Sequence, residues 1–165
     1  MQDTRNDDLD VELDNDYDED VQKNRFLTFK IAEQEYGIKI SAVTEIVGMQ
    51  AITEVPDVPR FVKGVINLRG TVIPVIDVRL RFGMEEREYD DRTCVIVVMV
   101  QDTVVGLVVD TVREVVAFRE ESISAPPNIN NADGNSEYIM GLGKLEDSVS
   151  ILLDVEQLVD QSAFS

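Results

Sequence analysis

The sequence predicts an all-β fold in which two small barrels pack around a shared hydrophobic core, with only short helices. Three observations support this prediction. Apolar residues occur in many short runs separated by Gly, Ser, Pro or Asp, helical periodicity is almost absent, and the same pattern of motifs occurs twice along the 165 residues. Repeated units of about five short strands each are typical of small barrels.

The repeat consists of two motifs whose internal spacing is identical in both halves of the chain. In the first motif a glutamate follows a glycine by eight residues, and in the second an aspartate follows a glycine by thirteen. The pairs are Gly37 with Glu45, Gly106 with Glu114, Gly64 with Asp77, and Gly141 with Asp154. The second half is eight residues longer between its motifs, in the stretch 125–136. Two similar β-rich units without a catalytic constellation favour a paired interaction module over an enzyme.

Ten apolar runs are predicted to be strands. They are residues 26–31, 36–40, 43–47, 65–68, 72–76, 95–100, 104–109, 112–118, 138–142 and 148–153. The runs 95–100 and 104–109 are apolar at nearly every position, which is typical of strands covered on both faces. We therefore expect them to form a central hairpin between the two halves. Short helices are predicted after Asp77 and Asp154, which are plausible N-caps.

The charge pattern divides the chain into a tail and a folded part. Residues 1–20 contain ten acidic residues and one arginine, so we expect residues 1–25 to be a disordered acidic tail that folding does not require. Residues 26–160 are predicted to form the domain, with its two barrels at roughly 26–92 and 93–160. Beyond these boundaries only the tail and the last few residues remain, so we expect a stand-alone module.

Composition argues against several classes of function. The net charge is −18, and residues 26–165 alone carry −11, so neither nucleic acid nor an anionic membrane surface is an expected partner. No export signal and no membrane-length apolar run is present, which predicts a cytoplasmic location without membrane insertion. The single cysteine, Cys94, lies in an apolar run, and the chain has no histidine to activate it. We expect no cofactor and no metal.

Two sets of polar residues require a choice between a structural and a functional role. Asp77 and Asp154 could be a carboxylate pair of a small β-barrel enzyme, but their equivalent positions in the repeat favour helix caps. Arg69 lies in a tight turn with Gly70, and the second half has no arginine there. It is either a solvated turn residue or a forked donor for a partner's carboxylate or carbonyl groups.

Several motifs together resemble the CheW family, the coupling proteins of prokaryotic chemotaxis. The resemblance runs from about Phe26 to Val159 and is strongest in KGVINLRG (63–70), followed by IPVIDVR (73–79), and in VVGLVVD (104–110). It implies two five-stranded, SH3-like barrels and no catalysis. Two features depart from the family pattern, namely the acidic tail and Cys94, which stands where an aliphatic residue is more usual.

The resemblance also implies partners and a site. CheW proteins couple the cytoplasmic tip of methyl-accepting chemoreceptors, a helical hairpin, to the regulatory domain of the histidine kinase CheA in membrane receptor arrays. The receptor tip docks in a groove between the barrels, and the kinase contacts the barrel ends. The family positions tied to this groove correspond to Val43, Glu45, Arg69, Gly106 and Val115. The alternatives are a coupler for a phosphorelay outside chemotaxis and the carboxylate enzyme.

Overall fold

In a computed structural model of the chain, which describes residues 24–126 and 137–159, eleven strands form two sheets. The first six are β1 Arg25–Ile31, β2 Gln34–Lys39, β3 Val43–Gly48, β4 Val62–Leu68, β5 Thr71–Asp77 and β6 Cys94–Val100. The others are β7 Thr103–Val109, β8 Thr111–Ala117, β9 Ile123–Ser124, β10 Ile139–Leu145 and β11 Ser148–Leu153. Two one-turn helices follow β5 and β11, namely α1 Val78–Arg81 and α2 Val155–Leu158.

The ten predicted strands correspond to ten of these elements, and the all-β prediction is confirmed. The predicted helices are also present. The Asp77 carboxylate accepts a hydrogen bond from the Leu80 amide at the start of α1, and Asp154 accepts one from Glu156 at the start of α2. The predicted tail, apart from its last two residues, and most of the eight-residue insertion lie outside the described residues.

The two halves of the chain exchange strands. One sheet has the order β3-β6-β7-β5-β4 and the other β8-β1-β2-β11-β10-β9. The hairpin of β1 and β2 thus lies with strands of the second half, and the hairpin of β6 and β7 lies with strands of the first. Each exchanged hairpin joins its sheet through one parallel pair, namely β7 with β5 in one sheet and β2 with β11 in the other, so the two exchanges are equivalent. A boundary near residue 92 separates the sequence repeats, but it does not separate the sheets.

We call the five-stranded sheet the first barrel and the six-stranded sheet the second barrel. In the first, the segment after β3 pairs with β4 through the amide and carbonyl of Thr53 and Val65, at 2.8 and 2.9 Å, which joins the two edges of the sheet. In the second, the two-residue strand β9 pairs with β10 at the corresponding place. The second barrel therefore has six strands and not the expected five, because this short pair counts as a strand.

The exchange follows from strands that are apolar on both faces. In β6, Val95 and Val97 face the interior of the first barrel, whereas Ile96 and Val98 face the second barrel. Such a hairpin needs cover on both sides, which one five-stranded unit cannot supply. The shared core is the largest apolar cluster, with contributions from both barrels and both helices. A smaller core fills each barrel. The predicted shared core is therefore present, together with two further cores.

Candidate partner-binding surface

The edge strands β3 and β8 each contain a β-bulge at the same place in the repeat. In β3, Val43 pairs with Val98 and Glu45 with Val97, so that Thr44 is the extra residue. In β8 the register shifts between Val112 and Val115, and the Thr28 hydroxyl donates to the Glu114 carbonyl at 2.7 Å and accepts from its amide at 3.1 Å. A bulge re-aims the side chains that follow it.

The bulges decide which apolar side chains reach the surface. Residues three apart in a regular strand point to opposite faces. Here Val43 and Ile46 both lie beside shared-core residues of β6, and Val115 lies beside the shared-core residue Leu27. Ile46 is 42% exposed and Val115 is 39% exposed. The shared core thus continues to the surface along the edge of each barrel.

Arg69 occupies the tight turn between β4 and β5, as the sequence indicates. Leu68 pairs with Thr71, so Arg69 and Gly70 form a two-residue loop, and both have positive φ, 53° and 89°. This is the pattern of a type I′ hairpin turn. The Asn67 side-chain oxygen accepts from the Gly70 amide at 2.8 Å and holds the turn. The Arg69 side chain is consequently held out of the core and is 66% exposed.

Arg69 has a partner within the chain that the sequence did not reveal. Its guanidinium donates a hydrogen bond to the carboxylate of Glu45, whose side chain is 34% exposed. The ion pair joins β3 to the β4–β5 turn and brings together two of the five predicted site residues. Ion pairs this exposed contribute about 0–1 kcal/mol to stability. Since a guanidinium has five N–H donors, most of them remain available to another acceptor.

The other three predicted residues have different surroundings. Val43 lies two residues from Glu45 on β3 and packs against the shared core. Val115 lies on the second barrel. Gly106 is buried in β7, where an added Cβ would lie 2.7 Å from Val95 Cγ1 and 2.9 Å from Val75 Cγ1. Gly106 therefore does not line the surface, and its absence of a side chain is required by packing inside the first barrel.

Two surface features were not anticipated from the sequence. Ile46 is one, although the repeat contains the signal, because Ile46 occupies the position in the first half that Val115 occupies in the second. The other is a pocket of about 330 Å³ between the barrels, beside the 3₁₀ turn Ile40–Ala42. Met99 and Met140, which are 48% and 38% exposed, lie on its walls.

The carboxylates of Asp77 and Asp154 do not form the pair that the enzymatic alternative requires. Each caps a helix of a different barrel. The Asp77 carboxylate also accepts a hydrogen bond from the Tyr89 hydroxyl at 2.7 Å. The pKa of Tyr89 is raised, mainly because the hydroxyl is partly buried and secondarily because of this hydrogen bond. Within residues 24–126 and 137–159, no group of three His, Cys, Asp or Glu side chains could hold a metal ion. Both helices of this part are single turns, too short to cross a membrane.

Comparison with known proteins agrees with this architecture. The family model for the CheW-like domain matches residues 25–163. A chemotaxis protein CheW of Klebsiella aerogenes is 41% identical over 134 residues, which are 81% of this chain and 80% of that protein. A chemotaxis protein CheW of Treponema pallidum is 34% identical over 138 residues, 81% of each chain.

A solved structure supports the same conclusion. The crystal structure of the scaffolding protein TtCheW from Thermoanaerobacter tengcongensis matches with a TM-score of 0.76 and 36% identity, covering 83% of this chain and 92% of that one. The strands, their exchange between two barrels and the repeated motifs are thus accompanied by similarity over most of the sequence. The chain belongs to the CheW-like family.

Proposed function

We propose that this protein is a non-catalytic chemotaxis adaptor that couples the cytoplasmic tip of methyl-accepting chemoreceptors to the regulatory domain of the histidine kinase CheA. It acts in the cytoplasm and is recruited to membrane receptor arrays through the receptor tip. Membership of the CheW-like family supports the adaptor role. The observation that carries the site is that Ile46 on β3 and Val115 on β8 are each about two-fifths exposed and lie beside shared-core residues. In this proposal the two edges form one apolar surface.

This surface suits an α-helical partner. An amphipathic helix binds by placing its apolar face in a hydrophobic groove, and the receptor tip is a helical hairpin. Val43, Ile46 and Val115 supply apolar contacts of moderate size. Arg69 supplies directed hydrogen bonds at the end of the first barrel, where Glu45 orients its guanidinium. In this proposal Gly106 acts through the packing beneath the surface.

The test is a pair of titrations with Arg69→Asn, one with a receptor-tip fragment and one with the kinase regulatory domain. Asparagine tolerates positive φ better than alanine, so the turn is retained. A charge-assisted hydrogen bond contributes about 1.5–3 kcal/mol, so receptor affinity should fall roughly ten- to a hundredfold. Arg69→Lys should recover only part of it, because lysine lacks the fork. Kinase affinity should be unchanged.

Glu146 provides a matched control. It occupies the same place in the β10–β11 turn as Arg69 does in the β4–β5 turn, and it too has a positive φ, 55°. Glu146→Asn should leave receptor affinity unchanged. If Arg69→Asn has no effect on receptor binding, or weakens both partners equally, the assignment of Arg69 to the receptor surface is wrong.

A further inference from the structure

The one-turn helix α1 carries two arginines that reach different parts of the second barrel. Helix α1 follows β5 of the first barrel, and Arg79 and Arg81 are two residues apart on it. Arg79 reaches toward the β1–β2 turn through Asp110, and Arg81 reaches the C-terminal end of α2. The Arg81 contact therefore crosses directly from one barrel to the other, whereas Arg79 is linked to the second barrel through Asp110, which lies between β7 and β8.

Arg81 is held by four groups at the junction between the barrels. Its Nε donates to the Leu158 carbonyl at 2.9 Å, and its Nη2 donates to the Gln157 carbonyl at 3.1 Å. Its guanidinium carbon lies 5.0 Å from the ring centroids of both Phe61 and Tyr138. Cations are attracted to aromatic faces at such distances.

The two rings that contact Arg81 are equivalent residues of the repeat. The Phe61 carbonyl accepts from the Asp77 amide at 2.8 Å in the first barrel, and the Tyr138 carbonyl accepts from the Asp154 amide at 2.8 Å in the second. Arg81 therefore lies between corresponding points of the two barrels. A change in their relative orientation would move at least one ring or one carbonyl away from the guanidinium.

Arg79 makes the second contact through a buried carboxylate. Its Nε and Nη2 donate to the two oxygens of Asp110 at 2.9 and 2.8 Å, and both side chains are more than four-fifths buried. The Ala32 amide in the β1–β2 turn and Arg87 Nη1 donate to the same carboxylate, at 2.8 and 3.0 Å. Burial alone would raise the pKa of Asp110. The hydrogen bonds from Arg79 and Ala32, together with the charges of Arg79 and Arg87, outweigh the effect of burial, so the pKa of Asp110 is lowered.

The arrangement is not symmetric, so the repeat does not require it. The positions of α2 that correspond to Arg79 and Arg81 are occupied by Glu156 and Leu158. Helix α2 therefore supplies backbone carbonyls and no cation, while α1 supplies both arginines. A contact that only one of two equivalent helices makes is a feature of this junction and not of the barrel itself.

From these contacts we propose that Arg79 and Arg81 are positioning residues that fix the orientation of the first barrel relative to the second. Burial of the shared core holds the barrels together, but the hydrophobic effect by itself is non-directional. Forked hydrogen bonds from a planar guanidinium have a defined geometry. The core supplies the attraction, and the two arginines select one orientation.

The inference can be tested without any partner by measuring the distance between spin labels on the two barrels. Val72 on β5 and Val149 on β11 are 65% and 43% exposed, so they suit labelling as Val72→Cys and Val149→Cys in a Cys94→Ser background. The parent should show one narrow distance distribution. Arg81→Met should broaden or shift it, and Arg81→Lys should restore only part of the narrow distribution, since lysine keeps the charge but not the fork.

Two further variants complete the experiment. Asp110→Asn removes the negative charge and one of the two oxygens that accept from Arg79, so it should broaden the distribution as well. It also keeps the test decisive if Arg81→Met fails to fold. Arg119→Met is the matched control, because Arg119 is 82% exposed and pairs only at 3.8 Å with Glu121. The proposal is overturned if folded Arg81→Met and Asp110→Asn give the parental distribution, or if Arg119→Met broadens it equally.

The same variants connect to the proposed function. If the receptor tip contacts both β3 and β8, a less defined orientation of the two barrels should weaken receptor binding, even though the ion pair of Arg69 with Glu45 stays intact. This step rests on the proposed function, whereas the distance measurement does not. A broadened distribution with unchanged receptor affinity would therefore count against the proposed groove and leave the role of the arginines in place.

Discussion

At the scale of single residues, the predicted site separates into side chains that can touch a partner and one that cannot. Arg69 and Glu45 form an exposed ion pair, and Val43 and Val115 extend the shared core toward the surface. Gly106 lies beneath this surface, close to Val95 and Val75. In the proposed function, Gly106 would therefore act by shaping the sheet that carries the contacts, without making a contact itself.

The burial of Gly106 leads to a prediction about stability. Gly106→Ala should destabilise the protein by about 1–3 kcal/mol, because the added methyl group overpacks the first barrel. Gly48→Ala is the control, since no heavy atom other than those of Gly48 and its two chain neighbours lies within 4 Å of the Cβ position there. Urea unfolding of both variants decides the matter. If Gly106→Ala kept parental stability but lost receptor binding, Gly106 would act at the surface and our packing explanation would be wrong.

At the scale of elements, the equivalent helices α1 and α2 are capped alike but embedded differently. Asp77 is 2% exposed and accepts from both the Leu80 amide and the Tyr89 hydroxyl. Asp154 is only partly buried and accepts from the Glu156 amide. The aspartate of the second barrel therefore makes only the local capping contact among these, whereas the equivalent aspartate of the first barrel makes the capping contact and a tertiary contact to Tyr89.

This difference predicts unequal costs of removing the caps. Asp154→Ala should cost about 0.5–2 kcal/mol, the usual effect of losing an N-cap. Asp77→Ala should cost about 1–3 kcal/mol more, because it also removes the hydrogen bond that the partly buried Tyr89 hydroxyl donates to a carboxylate. Thermal or urea unfolding measures both, and Tyr89→Phe in the Asp77→Ala background should remove most of the excess. Equal costs for the two alanine variants would show that the Tyr89 contact adds nothing.

At the scale of the whole molecule, charge opposes the compact state. The chain carries 33 acidic and 15 basic residues, and the excess of acid persists after the first 25 residues. Two of the cations, Arg79 and Arg87, form ion pairs with the same carboxylate, that of Asp110. The net negative charge elsewhere is left to repel itself, and dissolved ions screen such repulsion between exposed groups.

We therefore expect added salt to stabilise the protein. The urea midpoint should rise between low and molar potassium chloride, because the Debye length falls to about 3 Å at 1 M. A version lacking residues 1–24 should show a smaller rise in the same direction and nearly the parental melting temperature. A midpoint that does not move with salt would mean that self-repulsion contributes little. A large loss of stability on truncation would contradict the predicted independence of folding from the acidic segment.

The sequence by itself determined the strands, the two helix caps and the repeat, because these depend on local alternation, turn residues and capping groups. The two-residue strand β9 was missed, since two residues carry no period, and so was the pair of Glu45 with Arg69, which are 24 residues apart. Tertiary structure decided which strands pair. The parallel contacts of β2 with β11 and of β5 with β7 join segments that are distant in the sequence. These pairings form because strands that are apolar on both faces must be covered on both sides. The same exchange placed Arg81 of α1 against the other barrel and linked Arg79 to it through Asp110, contacts that no local pattern specifies.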